Sequence, residues 1–370
     1  MSVVDKFIDY VHDEVVEHPE KSWEKMVFGF QANKLKTRIL PKKNLSKGYQ
    51  KLETMTMALV ADALKDQGSY VWGNIFAPCE IMEALGLRTL SIECLSCYFS
   101  GYHLEDYFID RAQNSGIAPT LCSYHKTFIG GVESGAVKHP EYAVTTSLSC
   151  DGNLNTFRYL EKKIGVPYTF LDVPYADDEA SVDYLAEQLK EFAYRLAEHC
   201  GRSFDEEKLK EIIRTENETR DLLEQFFQLQ KDHWYPGELI SHLYLMMGTH
   251  LMMGTRELRD LAAFLVEDIQ KYPAFDGKRI LWVHLMPFYQ ETLKEYFNEN
   301  QKYQIIASDM ELDGPRHLDE NAPFRALAQK IIANLFNGSY SHKAKVIGDL
   351  AEELQPDAVI HFCHWGCKQA

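Results

Sequence analysis

Short apolar runs alternate along the chain with longer segments in which apolar residues recur every three or four positions. The short runs have the length and composition of buried parallel strands. They are predicted at Tyr70 to Phe76, Leu87 to Ile92, Tyr142 to Leu148, Tyr168 to Val173, Arg279 to Leu285, Gln304 to Ala307 and Ala358 to Phe362. Because helical stretches separate the strands, the pattern predicts βαβ units. The expected fold class is α/β, with two Rossmann-like or flavodoxin-like parallel-sheet domains.

Changes in this pattern divide the chain into four predicted regions. Residues 1–52 form a helical N-terminal arm, and residues 53–175 form the first α/β domain. Residues 176–273 form a helical linker segment, and residues 274–370 form the second α/β domain. A helix would normally follow the last strand, so we expect the second domain to be truncated at its C-terminus.

The charge balance bears on the partners of the protein. The 370 residues include 39 Lys and Arg against 55 Asp and Glu, which gives a net charge of −16. Such a negative chain is unsuited to binding nucleic acid. The first residues carry several charges instead of an apolar leader, and the uncharged run from Leu239 to Thr255 is short and interrupted by polar residues. We therefore expect a cytoplasmic protein without a membrane partner.

Cysteine is the residue type that points to chemistry. A protein of a reducing compartment keeps thiols for metals or redox reactions and not for disulfides. Of the eight cysteines, Cys200 lies beside Gly201 at a predicted helix end and is interpreted as an unrelated thiol. The other seven lie in or near loops of the α/β regions, and these candidate metal ligands are Cys79, Cys94, Cys97, Cys122, Cys150, Cys363 and Cys367.

Three interpretations of these thiols stay open from spacing alone. A zinc site takes four ligands, commonly as two close pairs, and this spacing does not match a zinc ribbon. An excess of soft thiolate donors suits iron-sulfur clusters. The third interpretation is that the thiols are structural and unrelated to one another.

The residues around the sulfurs carry a family resemblance. The relevant segments are Phe76 to Gly86, Leu121 to Tyr124, Ser149 to Asn153, Leu171 to Pro174 and Phe362 to Lys368. They resemble the 2-hydroxyacyl-CoA dehydratase and benzoyl-CoA reductase subunit family. The resemblance implies a four-iron four-sulfur cubane held by three cysteines, which match Cys122, Cys150 and Cys363.

Four further cysteines set this chain apart from ordinary members. Their presence resembles the double-cubane cluster protein branch, in which two cubanes share a bridging sulfide to give an 8Fe-9S cluster and each cubane takes three thiolates. Six of the seven candidate thiols would then be ligands. The resemblance implies a homodimeric reductase component that reduces small unsaturated molecules. The alternatives are a 2-hydroxyacyl-CoA dehydratase subunit with a single 4Fe-4S cluster and a non-catalytic electron carrier or cluster scaffold.

A separate source of energy is expected for low-potential electrons. Gly130 to Gly135 has the glycine spacing of a phosphate-binding loop, but Ala136 and Val137 replace its Lys and Ser or Thr. This chain is therefore not expected to hydrolyse ATP. The resemblance implies a partner, an ATP-hydrolysing iron-sulfur activator protein.

Reduction of a small molecule also requires protons. The candidate general acids lie beside the predicted ligands, and they are His125, Lys126, His364 and Glu80. The alternative for a histidine in this position is a hydrogen bond to a cluster sulfur, and Lys126 has a solvated surface position as its alternative.

Overall fold

The computed structural model describes residues 3–311, 317–364 and 366–369. The chain begins with three helices, α1 (Val3–Glu17), α2 (Trp23–Ile39) and α3 (Lys47–Ala63). Strands and helices then alternate through β1 (Tyr70–Gly73), α4 (Cys79–Ala84), β2 (Arg88–Ser91), α5 (Ile92–Ser100), α6 (Glu105–Asn114), α7 (Ser123–Glu133), β3 (Ala143–Thr146), α8 (Asp151–Ile164) and β4 (Tyr168–Leu171).

Four consecutive helices precede the second set of strands. They are α9 (Glu179–His199), α10 (Glu206–Leu229), α11 (Leu239–Leu251) and α12 (Arg256–Ile269). The rest of the described chain contains β5 (Lys278–Val283), α13 (Glu291–Phe297), β6 (Tyr303–Ser308), α14 (Pro323–Ile332), α15 (Tyr340–Leu354) and β7 (Ala358–His361).

The seven strands in the described part of the chain form two parallel sheets. The first has the order β2-β1-β3-β4, with Val71 opposite Thr89 between its first two strands. The second has the order β6-β5-β7, and the register between β5 and β6 shifts at Ile280 and Leu281. The α/β prediction is confirmed. All but one of the apolar runs were predicted longer than the strands, because buried residues such as Ile75 and Phe76 continue after the last paired residue.

Two structural units can be distinguished. The N-terminal unit contains Met1–Leu35, Met57–Ala77 and Gly86–Asp172, and it includes the four-stranded sheet. The C-terminal unit contains Lys36–Thr56, Pro78–Leu85 and Val173–Ala370, and it includes the three-stranded sheet and the helices α9 to α12.

The core of the N-terminal unit depends on a close approach of α6 and α7. A Cβ atom at Gly130 would lie 1.8 Å from the carbonyl oxygen of Phe108, so only glycine fits there. The segment from Gly130 to Gly135, which has the glycine spacing of a phosphate-binding loop, is therefore not a loop throughout, because its first four residues belong to α7. Glycine disfavours a helix in isolation, but helix packing requires it at this contact.

The core of the C-terminal unit centres on β5. The buried side chains of Leu239, Ile280, Trp282 and Ile305 pack together there. The last part of the predicted helical linker consists of two helices, because the chain turns between α11 and α12. Gly254 has a φ of +79° at this turn, and a Cβ atom there would lie 2.3 Å from Ile212 Cγ2.

Across the described residues, the helices lack the combination of length and apolar character that a bilayer-spanning segment requires.

Candidate functional site

Four of the predicted ligands gather in the N-terminal unit. Cys94 and Cys97 lie on α5, whereas Cys122 and Cys150 immediately precede α7 and α8. Burial raises the pKa of the Cys97 thiol to about 11, and the nearby charge of Cys122 adds to this effect. The same charge contributes to the raised pKa of Cys150, and that of Cys97 to the raised pKa of Cys94. The four sulfurs are therefore electrostatic neighbours.

Two of these thiols stand at helix N-termini. Cys122 and Cys150 are the N-cap residues of α7 and α8, where the partial positive charge of a helix favours an anion. Burial raises the pKa of Cys150 to about 11, but the amides of Gly152 and Asn153 point to its sulfur and act in the opposite direction. The arrangement favours a thiolate at Cys150 once a positive metal centre replaces the proton.

His125 is in contact with Cys150. Its ring is buried, Nε2 lies 3.7 Å from Cys150 Sγ, and Nδ1 lies 2.9 Å from Thr156 Oγ1. Burial lowers the pKa of His125 to about 4, so the imidazole is neutral at pH 7. The histidine predicted from its distance along the chain to Cys122 thus contacts a different predicted ligand.

Two further polar groups accompany the four thiols, and neither was predicted. Burial raises the pKa of Glu93 to about 7, although Ser91 Oγ donates a hydrogen bond to its Oε2 at 2.6 Å. Tyr124 donates a hydrogen bond to the sulfur of Cys97, and the charge of that sulfur is the largest cause of the raised tyrosine pKa. The sequence signal that could have identified Glu93 is its carboxylate, which stands inside an apolar segment directly before Cys94.

Lys126 does not face solvent. It is buried, and its Nζ donates a hydrogen bond to the carbonyl oxygen of Pro119 at 2.7 Å. This bond fixes the loop that leads to Cys122.

Cys79 and Glu80 lie in the C-terminal unit, at the start of α4. The Cys79 sulfur is buried 3.8 Å from the carbonyl oxygen of Met253. Glu80 Oε1 lies 2.6 Å from Lys330 Nζ, which also lies 3.0 Å from Glu216 Oε1. Burial raises the pKa of Glu80, whereas Lys330 and Arg220 outweigh burial and lower that of Glu216. The structure places Glu80 inside a buried ionic network.

The remaining predicted residues follow β7 in the same unit. Cys363 and Cys367 are exposed, and the ring centroid of His364 lies 6.4 Å from that of His284. Cys200 caps the C-terminus of α9, which is the helix-end position predicted for it.

His284 directly follows β5 and has an unusual backbone conformation. It is buried with a φ of +72°, and Asp309 Oδ1 accepts a hydrogen bond from its backbone N–H at 2.7 Å. Within the described residues, His284 Nδ1, Asp309 Oδ2 and His364 Nδ1 are buried without a hydrogen-bond partner. Polar groups therefore collect at the carboxyl ends of both β5 and β6, where α/β sheets bind ligands.

The donor chemistry fits an iron-sulfur group in the N-terminal unit. Soft sulfur donors, helix N-termini and inward amides suit a negatively charged thiolate cluster. In the described part of the chain, no three His, Cys, Asp or Glu side chains already stand in the arrangement that would hold a single metal ion.

Comparison with known proteins identifies similar sequences. Residues 74–370 match the family model described as 2-hydroxyglutaryl-CoA dehydratase, D-component. The chain is 20% identical over 243 residues to the (R)-phenyllactyl-CoA dehydratase alpha subunit of Clostridium sporogenes, covering 62% of this chain and 59% of that protein.

Two other relatives have the same level of similarity. The (R)-2-hydroxyisocaproyl-CoA dehydratase alpha subunit of Clostridioides difficile is 21% identical over 178 residues, which are 45% of this chain and 44% of that protein. The lactoyl-CoA dehydratase subunit alpha of Anaerotignum propionicum is 20% identical over 342 residues, or 82% and 80% of the two chains. Alignment with the first two relatives thus spans about half of their length.

Proposed function

Because the chain belongs to the 2-hydroxyglutaryl-CoA dehydratase D-component family, we propose that it is the iron-sulfur component of an ATP-dependent two-component system. It reduces small unsaturated molecules with low-potential electrons. The main support for this proposal is the group of four neighbouring thiols in the N-terminal unit. The family resemblance accounts for only two of the four, Cys122 and Cys150. The additional pair, Cys94 and Cys97, supports a double-cubane cluster.

The proposed ligand set starts from Cys122, Cys150 and Cys363 for one cubane. The remaining ligands come from Cys79, Cys94, Cys97 and Cys367. When bound, two linked cubanes supply more than one electron at low potential. The protein contributes the helix N-termini before α7 and α8, the amides that face Cys150, and a shell of buried polar groups.

The proposed partner is an ATP-hydrolysing iron-sulfur activator protein, and the proposed assembly is a homodimer in the cytoplasm. Support for a partner comes from the relatives, which are named as subunits, and from the segment Gly130 to Gly135, which has the glycine spacing of an ATP site but lacks its Lys.

The second candidate is a 2-hydroxyacyl-CoA dehydratase subunit with a single cubane. The names of all three relatives favour it. A non-catalytic electron carrier is the third candidate. Turnover of a substrate with a strong low-potential donor would exclude the carrier.

Iron and sulfide determination on anaerobically purified protein tests the proposal. A double cubane gives about eight irons per chain, and a single cubane gives about four. Electron paramagnetic resonance of the reduced protein then reports the cluster type. Four irons per chain would contradict the double-cubane proposal and support the dehydratase.

Substitutions assign the iron to particular thiols. The double variant Cys94→Ala and Cys97→Ala should lose about half of the iron if the pair serves a second cubane. It should lose none if one cubane uses only Cys122, Cys150 and Cys363. Cys150→Ala should lose at least half in either case, and Cys200→Ala is the matched control that keeps all of it. Equal losses in Cys200→Ala and Cys150→Ala would place the site elsewhere.

A further inference from the structure

The hydrogen bonds of His125 define which of its ring nitrogens carries the proton. Its side chain is 2% exposed and lies between Thr156 Oγ1, 2.9 Å from Nδ1, and Cys150 Sγ, 3.7 Å from Nε2. A neutral imidazole has one donor nitrogen and one acceptor nitrogen. A proton on Nδ1 of the neutral ring therefore excludes a proton on Nε2, and the reverse also holds.

Thr156 determines the choice. Helical threonines commonly donate to the carbonyl four residues earlier, as Thr54, Thr56 and Thr219 do in this protein. Thr156 is 2% exposed, and in the described structure the one hydrogen-bond partner of its hydroxyl is His125 Nδ1. Because a buried hydroxyl needs an acceptor for its hydrogen, Thr156 donates to Nδ1.

Nε2 therefore carries the ring hydrogen and directs it at the sulfur of Cys150. Nothing on α8 blocks this contact, because residue 152 is glycine. A Cβ atom there would lie 3.2 Å from Cys150 Sγ and 3.3 Å from His125 Nε2. A side chain at this position would compete for the space between ring and sulfur.

We infer that His125 is a positioning residue, held by Thr156 in the Nε2–H tautomer so that it donates a hydrogen bond to the thiolate of Cys150. The inference rests on the proposed function for the identity of the metal group that Cys150 binds. It changes the role expected for His125, because an N–H committed to a ligand sulfur is not the general acid of the reaction. A hydrogen bond to a ligand sulfur also stabilises the more negative, reduced cluster.

The first test does not require a cluster. In metal-free Cys150→Ala protein, Thr156 alone acts on the ring, so the ¹⁵N spectrum of labelled histidine should show His125 protonated at Nε2. Comparison with Cys150→Ala combined with His125→Gln assigns the signal among the 14 histidines. Adding Thr156→Val should produce a mixture of tautomers, and Thr156→Ser should preserve the Nε2–H form. A protonated Nδ1 in the Cys150→Ala protein would overturn the inference.

The second test uses anaerobically loaded protein. His125→Leu removes the donor, whereas His125→Gln keeps an N–H near the position of Nε2. We expect His125→Leu and Thr156→Val to lower the midpoint potential and to weaken iron retention against a chelator by about 10-fold to 100-fold. His125→Gln and Thr156→Ser should stay close to wild type.

The outcomes separate this inference from the proposed function. If His125→Leu keeps the wild-type potential and iron content but loses turnover, His125 is the general acid and the inference is wrong. If wild-type protein binds no iron-sulfur cluster while the metal-free spectrum shows Nε2–H, the proposed function fails and the Thr156–His125 arrangement stands.

Discussion

Glu80 and Glu216 share a single buried ammonium group, that of Lys330. Both carboxylates are at most 1% exposed, and Arg220 supplies a second positive charge to Glu216 at 2.6 Å. Taking one partner out of such a network leaves buried charge without compensation, which is far more costly than losing an exposed ion pair.

We therefore expect Lys330→Met to lower the free energy of unfolding by about 3–5 kcal/mol. Urea denaturation followed by circular dichroism measures this change. Lys345→Met is the matched control, because Lys345 and Asp349 form an exposed pair on α15 and contribute less than about 1 kcal/mol. Similar small losses in both variants would show that the network does not stabilise the fold.

The same residues show where prediction from the sequence stops. Glu80 is a candidate because it adjoins Cys79, and adjacency along the chain is visible in a sequence. Its partner Lys330 is 250 positions away from Glu80 in the sequence, and no local pattern predicts a contact between the two residues. The role of Glu93 escapes prediction for a similar reason, since its raised pKa comes from burial among residues of separate elements.

At the scale of elements, α7 and α8 are linked through Glu133. Its carboxylate accepts a hydrogen bond from Tyr159 at 2.6 Å and pairs with Lys163 at 3.1 Å. Burial raises the pKa of Glu133, but these two partners outweigh burial and lower it below 4.5. A carboxylate with a lowered pKa stabilises the fold above its unfolded-state pKa, and this contribution is lost as the pH falls through the folded-state value.

Tyr159→Phe should accordingly lower the free energy of unfolding at pH 7 by about 1 kcal/mol. The difference from wild type should shrink as the pH falls below about 4.5, where Glu133 becomes protonated in the unfolded chain. Denaturant titrations at pH 7, 5 and 3 measure it. A difference that is constant over this range would mean that Tyr159 acts through packing alone.

Elements can be located from the sequence better than they can be bounded. Period and apolar composition place all seven strands, and Ala358 marks the start of β7 in both prediction and structure. The turn before α12 is not predicted because Gly254 and its contact with Ile212 depend on a distant helix. The spacing of Gly130 and Gly131 is typical of a loop, but both residues lie in α7, where they allow the close contact with Phe108. This tertiary contact is not visible in the sequence.

At the scale of the whole molecule, each unit is assembled from three separate stretches of chain. A pattern read along the sequence gives the order of elements, but it does not reveal which stretch returns to which unit. Four of the candidate ligands come together in the N-terminal unit, and the sequence predicted each of them only as a thiol in or near a loop of an α/β region. Their proximity required the structure, because β1, β2 and β3 adopt a sheet order that differs from their order in the chain.

A cluster that binds only the folded protein must raise its thermal stability. Anaerobic removal of iron by a chelator should lower the melting temperature of wild-type protein, and reconstitution with iron and sulfide should restore it. Calorimetry under argon measures the shift in melting temperature. The shift should be smaller or absent in Cys150→Ala. An identical shift in both proteins would show that Cys150 is not needed for the metal to stabilise the fold.

Cys122 is a poor N-cap residue for the helix α7. It occupies the N-cap, but its side chain accepts no capping hydrogen bond from the first turn. Serine is among the preferred residues there and commonly adds about 1 kcal/mol of stability. The metal-free Cys122→Ser protein should thus have a higher free energy of unfolding than the metal-free wild-type protein, but it should retain less iron. If Cys122 binds the cluster as proposed, this position gives up some stability of the metal-free fold in exchange for a metal ligand.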